Sequence, residues 1–308
     1  CRRRKKALSV MYGFCGIRTI TERVPPVYRL PGLSNRAADV VVALAMKEFP
    51  DWHKLVGRPK KLTVVQALKL TLCRLRRNAT YQDLHEDFDI GLSTAWDYYQ
   101  PMVDFLARTF GYPDEDEKER EELLGLLLEG KVCLVDGTLI PTFHWKHRGN
   151  ELLSGKHRTH GVNIQLFVDI HGRLIGASRA FPGSWHDIHC FREAGWVDLV
   201  TQAGGGKGIS DGGYKGEPDA LCAPIKKPRG KELTDIEKDV NTVFAKIRVP
   251  VEWGVGHVKN WRILATRYRS DLSRIDIDIQ AAVGLQVLNE HHSVRLLTFD
   301  RVKKAMAA

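Results

Sequence analysis

The chain has 308 residues, 43% of them hydrophobic, which is enough for a sizeable core in one large domain or two modest ones. Lys and Arg number 47 against 37 Asp and Glu, and the net charge of +10 suits a polyanionic partner. The six cysteines (Cys1, Cys15, Cys73, Cys133, Cys190, Cys222) contain no CxxC pair and exclude a disulfide framework. The absence of any apolar run of about 18 residues excludes a membrane helix.

Arg2 to Lys6 followed by the apolar stretch from Ala7 to Ile17 has the order of a secretion signal, but no clear small-residue cleavage site follows. Residues 1–33 read as a solvated basic arm or a truncated reading frame, punctuated by Pro25, Pro26, Pro31 and Gly32. Ser34 is placed to cap a helix through Ala37, Val41 and Leu44. Thr63 with Gln66 has the form of a capping box and opens the clearest helix, which Asn78 ends. Thr80 with Asp83 opens a short helix, Asp89-Ile-Gly91 makes a turn, and Ser93 is expected to cap a third helix that Pro101 kinks or ends. Helix, short helix, glycine turn and helix over 60–110 is the layout of a helix-turn-helix, inside a helical region of 34–112. A three-helix bundle with no DNA role has the same pattern, and the third helix carries Asp97 and no Lys or Arg before Pro101. Residues 113–130 read as a connector helix.

From 131 the pattern turns to strands. Val132–Val135 reads as a short buried strand ending at Asp136-Gly137-Thr138. Val162–Asp169 and Leu174–Ala180 read as two more, joined by a turn at His171-Gly172. A helical stretch begins near Trp185, Lys207–Ser210 ends in Asp211-Gly-Gly-Tyr214, and the last third from Thr234 reads mainly helical.

Asp136 and Asp211 each follow a short apolar strand and precede Gly. Either one alone reads as a turn residue. Together, carboxylates at the carboxyl ends of neighbouring strands converge on one point, and their repulsion is relieved by hard divalent cations such as Mg²⁺ or Mn²⁺. Glu252 is the best third acid. It lies in Val251-Glu-Trp-Gly-Val-Gly-His-Val-Lys259, where Lys259 shares its helix face. Pro250 is tolerated at a first turn, so this helix is expected to start near Pro250, weakened by Gly254 and Gly256. Three HxxH pairs (His144/His147, His157/His160, His186/His189) raise a zinc site as a rival, but no fourth ligand is paired with them.

Five ordered segments carry a resemblance: Val135-Asp136-Gly137-Thr138, Lys156-His-Arg-Thr-His-Gly-Val-Asn-Ile-Gln165, Phe181-Pro-Gly-Ser-Trp-His186-Asp187-Ile-His-Cys-Phe-Arg192, Ser210-Asp211-Gly-Gly-Tyr214 and Val251-Glu252-Trp-Gly-Val-Gly-His-Val-Lys259. The chain resembles the DDE-type transposases of the PIF/Harbinger-like and related bacterial insertion-sequence superfamily over about 131–270, and their helix-turn-helix over 60–110. The second motif departs from the family, which commonly has Lys or Ser where Gly212 stands.

The resemblance implies an α/β, ribonuclease-H-like mixed sheet flanked by helices and preceded by an all-α helix-turn-helix domain, with residues 271–308 as a helical tail. It implies that Asp136, Asp211 and Glu252 are the catalytic acids and hold Mg²⁺ or Mn²⁺, with Asp187 and His186 in a supporting, substrate-positioning role. It implies cleavage of element ends in double-stranded DNA and joining of the 3′-hydroxyl to target DNA by two-metal phosphoryl transfer. Lys156, His157, Arg158, Lys226, Lys227, Arg229, Lys259 and Arg262 are then candidate phosphate contacts. A homo-oligomer is expected, located at the nucleoid in a bacterium or in a eukaryotic nucleus. The rivals are a decayed or domesticated relative that binds DNA without cutting it, and a related nuclease acting on RNA.

Overall fold

The computed structural model describes residues 30–52, 59–112, 132–203 and 208–291, with side chains of 202 and 203 excepted. The basic arm up to residue 29, the connector over 113–130, the glycine loop at 204–206 and the end of the tail lie outside these residues.

Among the described residues four helices come first: α1 (Asn35–Glu48), α2 (Val64–Arg77), α3 (Tyr81–Phe88) and α4 (Leu92–Phe110). Their starts are local. Ser34 caps α1, and Thr63/Gln66 and Thr80/Asp83 form reciprocal capping boxes on α2 and α3. Asn78 and Asp89 end α2 and α3 in the left-handed conformation.

The α4 helix differs from expectation twice. It starts at Leu92, with Gly91 rather than Ser93 as its cap, and it continues without a break past Pro101 to Phe110. Pro101 removes a bond to the carbonyl of Asp97, an exposed residue where water replaces the lost donor. Buried Tyr98, Tyr99, Met102 and Val103 hold both halves in the core, so packing overrides the local break.

The sheet is built from β1 (Cys133–Pro141), β2 (Leu153–Ser154), β3 (Thr159–Asp169), β4 (Leu174–Ala177), β5 (Phe181–Pro182), β6 (Gly208–Ile209) and β7 (Leu221–Cys222). The order is β2-β3-β1-β6-β7, with β4 and β5 also paired to β3. β1 runs antiparallel to β3 and parallel to β6, and β6 runs parallel to β7. Helices α5 (Asp187–Glu193), α6 (Trp196–Ala203), α7 (Asp235–Lys259), α8 (Arg262–Ala265) and α9 (Ile275–His291) complete the α-helices of the described residues. This is a mixed sheet flanked by helices after an all-helical region, as a ribonuclease-H-like fold requires.

The two sheet faces have different covers. Gly254 of α7 lies so close to Val168 that a Cβ would come within 2.6 Å of its Cγ2, so the helix packs on the face that carries Leu134 and Val168. On the other face Trp196 of α6 stacks on Phe167, with ring centroids 3.7 Å apart. Helix α9 packs between α4 and β4, so the helical region and the sheet share one core.

Candidate active site

β1 does not end at Asp136. The ladder with β3 continues through Pro141, and Asp136 lies inside the strand opposite Leu166. An antiparallel partner that extends past the acid keeps the backbone extended where the sequence reads as a turn. The parallel neighbour is shorter. Leu134 pairs with Ile209, and β6 stops there. Asp136 and Asp211 each stand two residues beyond that pair, so they lie side by side on adjacent chain segments and, by the two-residue period of a strand, towards one face.

Asp136 is 15% exposed, and its carboxyl is pushed up to about 6. Burial is the largest cause, followed by the negative charge of Asp211. The Arg248 guanidinium and the Gly137 N–H act the other way, and Asp187 adds a smaller push upward. Arg248 stands 3.7 Å from Asp136 Oδ2. Asp211 caps the short helical turn Gly212–Tyr214 by accepting from Gly213 N at 2.7 Å.

Asp187 reaches the same place from the opposite face of the sheet. It sits in the first turn of α5, where a carboxylate suits the helix dipole. Gly137 makes room for it, since a Cβ there would lie 2.4 Å from Asp187 Oδ1. Asp187 accepts from Asn163 Nδ2 at 2.8 Å, Gln165 Nε2 donates to Asn163 Oδ1 at 3.0 Å, and the buried Tyr214 hydroxyl donates to Gln165 Oε1. A chain of side-chain hydrogen bonds thus ties Asp187 to the turn that follows Asp211. Lys156 Nζ is 3.7 Å from Asp187 Oδ2. His186 caps α5 by position only and is exposed.

Glu252 stands apart. Its helix does not start near Pro250; α7 begins at Asp235, set by the Thr234/Glu237 capping box, and carries Pro250 in its interior. The bond that Pro250 removes would have gone to the carbonyl of exposed Lys246, where water substitutes. Glu252 is exposed, on the helix stripe shared by Arg248 and Lys259. Both of those touch β1: Arg248 at Asp136, and Lys259 Nζ by donating to Leu139 O at 2.6 Å. Among the described residues no three His, Cys, Asp or Glu side chains gather as a metal-binding set. The Asp136–Asp211 pair has the chemistry of half a divalent site: two hard oxygen donors whose mutual repulsion a cation would relieve.

The cations divide. Lys156, His157, Arg158, Lys226, Lys227, Arg229 and Arg262 are exposed, and Lys227 pairs with Glu232 at 2.5 Å. Lys259 departs from the expectation of a phosphate contact. Its ammonium also donates to Leu264 O at 2.9 Å, and burial pulls its pKa down to about 8. The histidine pairs scatter: His144 lies tilted against His160, with ring centroids 4.5 Å apart, and His189 lies tilted against Trp185 at 4.1 Å. Arg248 stands outside every motif legible in the sequence, and Asn163 and Gln165, although inside the Lys156–Gln165 segment, had no expected role. Asn163 and Gln165 carried a signal, being polar at alternate positions of an otherwise apolar strand.

Comparison with known proteins matches the sheet region and the helical region separately. Residues 135–286 match the family model described as DDE superfamily endonuclease, and residues 60–111 match the helix-turn-helix of DDE superfamily endonuclease. The chain is 26% identical over 264 residues to a probable transposase for insertion sequence element IS702 from Microchaete diplosiphon, covering 83% of this chain and 91% of that one. No solved structure matches. Two matched regions in the expected order, a mixed sheet with paired aspartates and an insertion-sequence relative along nearly its whole length lead to one conclusion: the chain belongs to the DDE-type transposases.

Proposed function

We propose that this transposase cuts double-stranded DNA at element ends and joins the freed 3′-hydroxyl to target DNA, using Asp136 and Asp211 with Glu252 as the third acid. The observation that carries the reading is the Leu134/Ile209 register, which sets two carboxylates side by side beyond the end of β6. Asp136 and Asp211 would hold Mg²⁺ or Mn²⁺, and Glu252 completes the set from the α7 stripe that already meets β1 at both of its ends. When bound there, such an ion would polarise the scissile phosphate and lower the pKa of the attacking water. Asp187 keeps the pair in position through Asn163, Gln165 and Tyr214, and His186 flanks it at the mouth of α5. Arg248 balances the charge of Asp136. Lys156, His157, Arg158, Lys226, Lys227, Arg229 and Arg262 contact phosphates.

Cleavage breaks the bond between phosphorus and the 3′ oxygen, leaving a 3′-hydroxyl on the element. That hydroxyl then attacks a target phosphorus, forming a new phosphodiester bond while the target's own bond from phosphorus to its 3′ oxygen breaks and leaves a target 3′-hydroxyl. The test is nicking of terminal-repeat DNA by the purified protein with Mn²⁺ or Mg²⁺. Wild type cuts, whereas Asp136→Ala and Asp211→Ala lose at least a hundredfold in rate, as expected for groups that organise the transition state. Cleavage by Asp136→Ala at the wild-type rate overturns the assignment. Cleavage by Glu252→Gln at the wild-type rate removes Glu252 alone. The exposed position of Glu252 favours one second reading, a protein that binds DNA without cutting it. Tight duplex binding with no nicking in Mn²⁺ identifies that case.

A further inference from the structure

Helix α7 is longer than the surface it packs on. Its carboxyl-terminal half buries Val251, Gly254 and Val258 against the sheet. Counting back along the same face at intervals of three and four residues gives Ile247, Val243, Val240 and Ile236. These four are 41%, 54%, 37% and 77% exposed. The apolar stripe therefore continues for about 20 Å beyond the sheet, over residues 235–248. Asn241 pins this overhang to the basic loop before it: its side chain accepts from Ile225 N at 2.8 Å and donates to Ile225 O at 3.0 Å. The stripe is thus held in place and left uncovered among the described residues.

The charges flanking it indicate what covers it. The overhang carries Asp235, Glu237 and Asp239 towards its start and Lys246 and Arg248 towards its end, with Lys238 as the exception. A face with balanced charge and an apolar centre is unsuited to a phosphate backbone. The 4-3-4 spacing of Ile236, Val240, Val243 and Ile247 is the a/d pattern of a helix that pairs with a like helix. In an antiparallel pair about a two-fold axis, Ile236 meets the partner's Ile247, and Val240 meets the partner's Val243. Asp239 and Lys246 then both occupy the flanking position on the same side. Each Asp239 faces the partner's Lys246, and the contact occurs twice by symmetry. A parallel pair would set Asp239 against Phe244 and lose this match. We propose that the overhang of α7 is a self-association surface on which a second copy of this chain docks antiparallel, through Ile236, Val240, Val243 and Ile247, with Asp239 and Lys246 fixing direction and register.

The test is the mass of the full chain in solution across a concentration series, by light scattering or sedimentation, with dichroism to verify folding. Wild type rises from 34.8 kDa towards twice that value. Val243→Glu and Ile247→Glu stay at the monomer mass at every concentration while remaining folded. Asp239→Lys and Lys246→Glu each weaken association by about tenfold, because like charges then face each other. The double variant Asp239→Lys/Lys246→Glu regains it. A wild type that stays monomeric overturns the proposal, as it would if another segment of the same chain covered the stripe. A dimer that survives Val243→Glu and Ile247→Glu overturns it too. Loss of duplex affinity in Val243→Glu with no change of mass assigns the stripe to nucleic acid instead. A double variant no better than the single ones refutes the antiparallel pairing.

Discussion

At Gly137 the absence of a side chain decides the site. A Cβ there would come within 2.4 Å of the Asp187 carboxylate, which itself is held by Asn163. Gly137→Ala is expected to displace Asp187 and to destabilise the protein by about 1–3 kcal/mol, the usual range for overpacking. It should also slow nicking by about a hundredfold, since small misplacements in a site are amplified in rate. Thermal melting and the nicking assay check the two effects separately, and a variant that matches wild type in both contradicts the packing. Lys259 supplies the clearest pH dependence. Its pKa falls from 10.5 to about 8 because the ammonium is buried. Between these values the unfolded chain binds more protons than the folded one, so stability rises with pH across the window from about 8 to about 10.5. The gain over Lys259→Met is at most about 3 kcal/mol at about 1.36 kcal/mol per unit. Urea unfolding of both proteins at pH 7.5, 9 and 10 measures it, and a difference that is flat with pH counts against a desolvated ammonium. Asp136 and Asp211 are legible in the sequence as acids after apolar runs. Arg248 is not, because nothing local says which acid a helix cation will meet.

Helix α7 shows two kinds of information in conflict. Pro250, Gly254 and Gly256 argue locally for a helix start or a weak helix. The Thr234/Glu237 box and the stripe from Ile236 to Val258 argue for one long helix, and they win because one missing bond at an exposed carbonyl costs less than leaving Val251 and Val258 uncovered. Gly254 sharpens the contest. Replacing it with Ala favours the helix by about 1 kcal/mol, but the new methyl would lie 2.6 Å from Val168 Cγ2. Overpacking of about 1–3 kcal/mol outweighs that gain, so Gly254→Ala lowers the melting temperature. A rise would mean that α7 sits further from the sheet than the present packing. The α4 helix repeats the lesson at Pro101, where buried aromatic side chains on both sides keep the helix continuous.

The whole molecule is tied together by α9. Asp278 is buried and accepts from the Tyr99 hydroxyl of α4 at 2.5 Å and from Tyr268 at 2.7 Å. Burial pushes its carboxyl up, while the two hydroxyl donors and the Arg74 and Arg274 charges oppose that shift. Arg74 also donates to Ala79 O at 2.8 Å, and Asn78 Nδ2 donates to Thr266 Oγ1 at 2.7 Å. Removing one donor leaves a buried carboxylate oxygen without a partner, so Tyr99→Phe is expected to cost about 1–3 kcal/mol. The shared core predicts that the helix-turn-helix region and the sheet unfold together. Fluorescence and far-ultraviolet dichroism should give coincident curves in denaturant, and two separate transitions would show independent domains.

By itself the sequence determined three helix starts, through Ser34, Thr63 and Thr80, and the change from helix to strand near residue 131. It also placed two acids after apolar strands in an order that resembles a known family. These features depend on neighbours within a few residues, so the chain states them directly. Only the tertiary structure decided that β1 continues past Asp136, that Lys259 turns inward to Leu139 and Leu264, that Asp187 enters through the gap at Gly137, and that half of α7 overhangs the sheet. Periodicity tells which side chains share a face. What that face meets depends on strand pairing and helix length, which are set by segments far away in the chain.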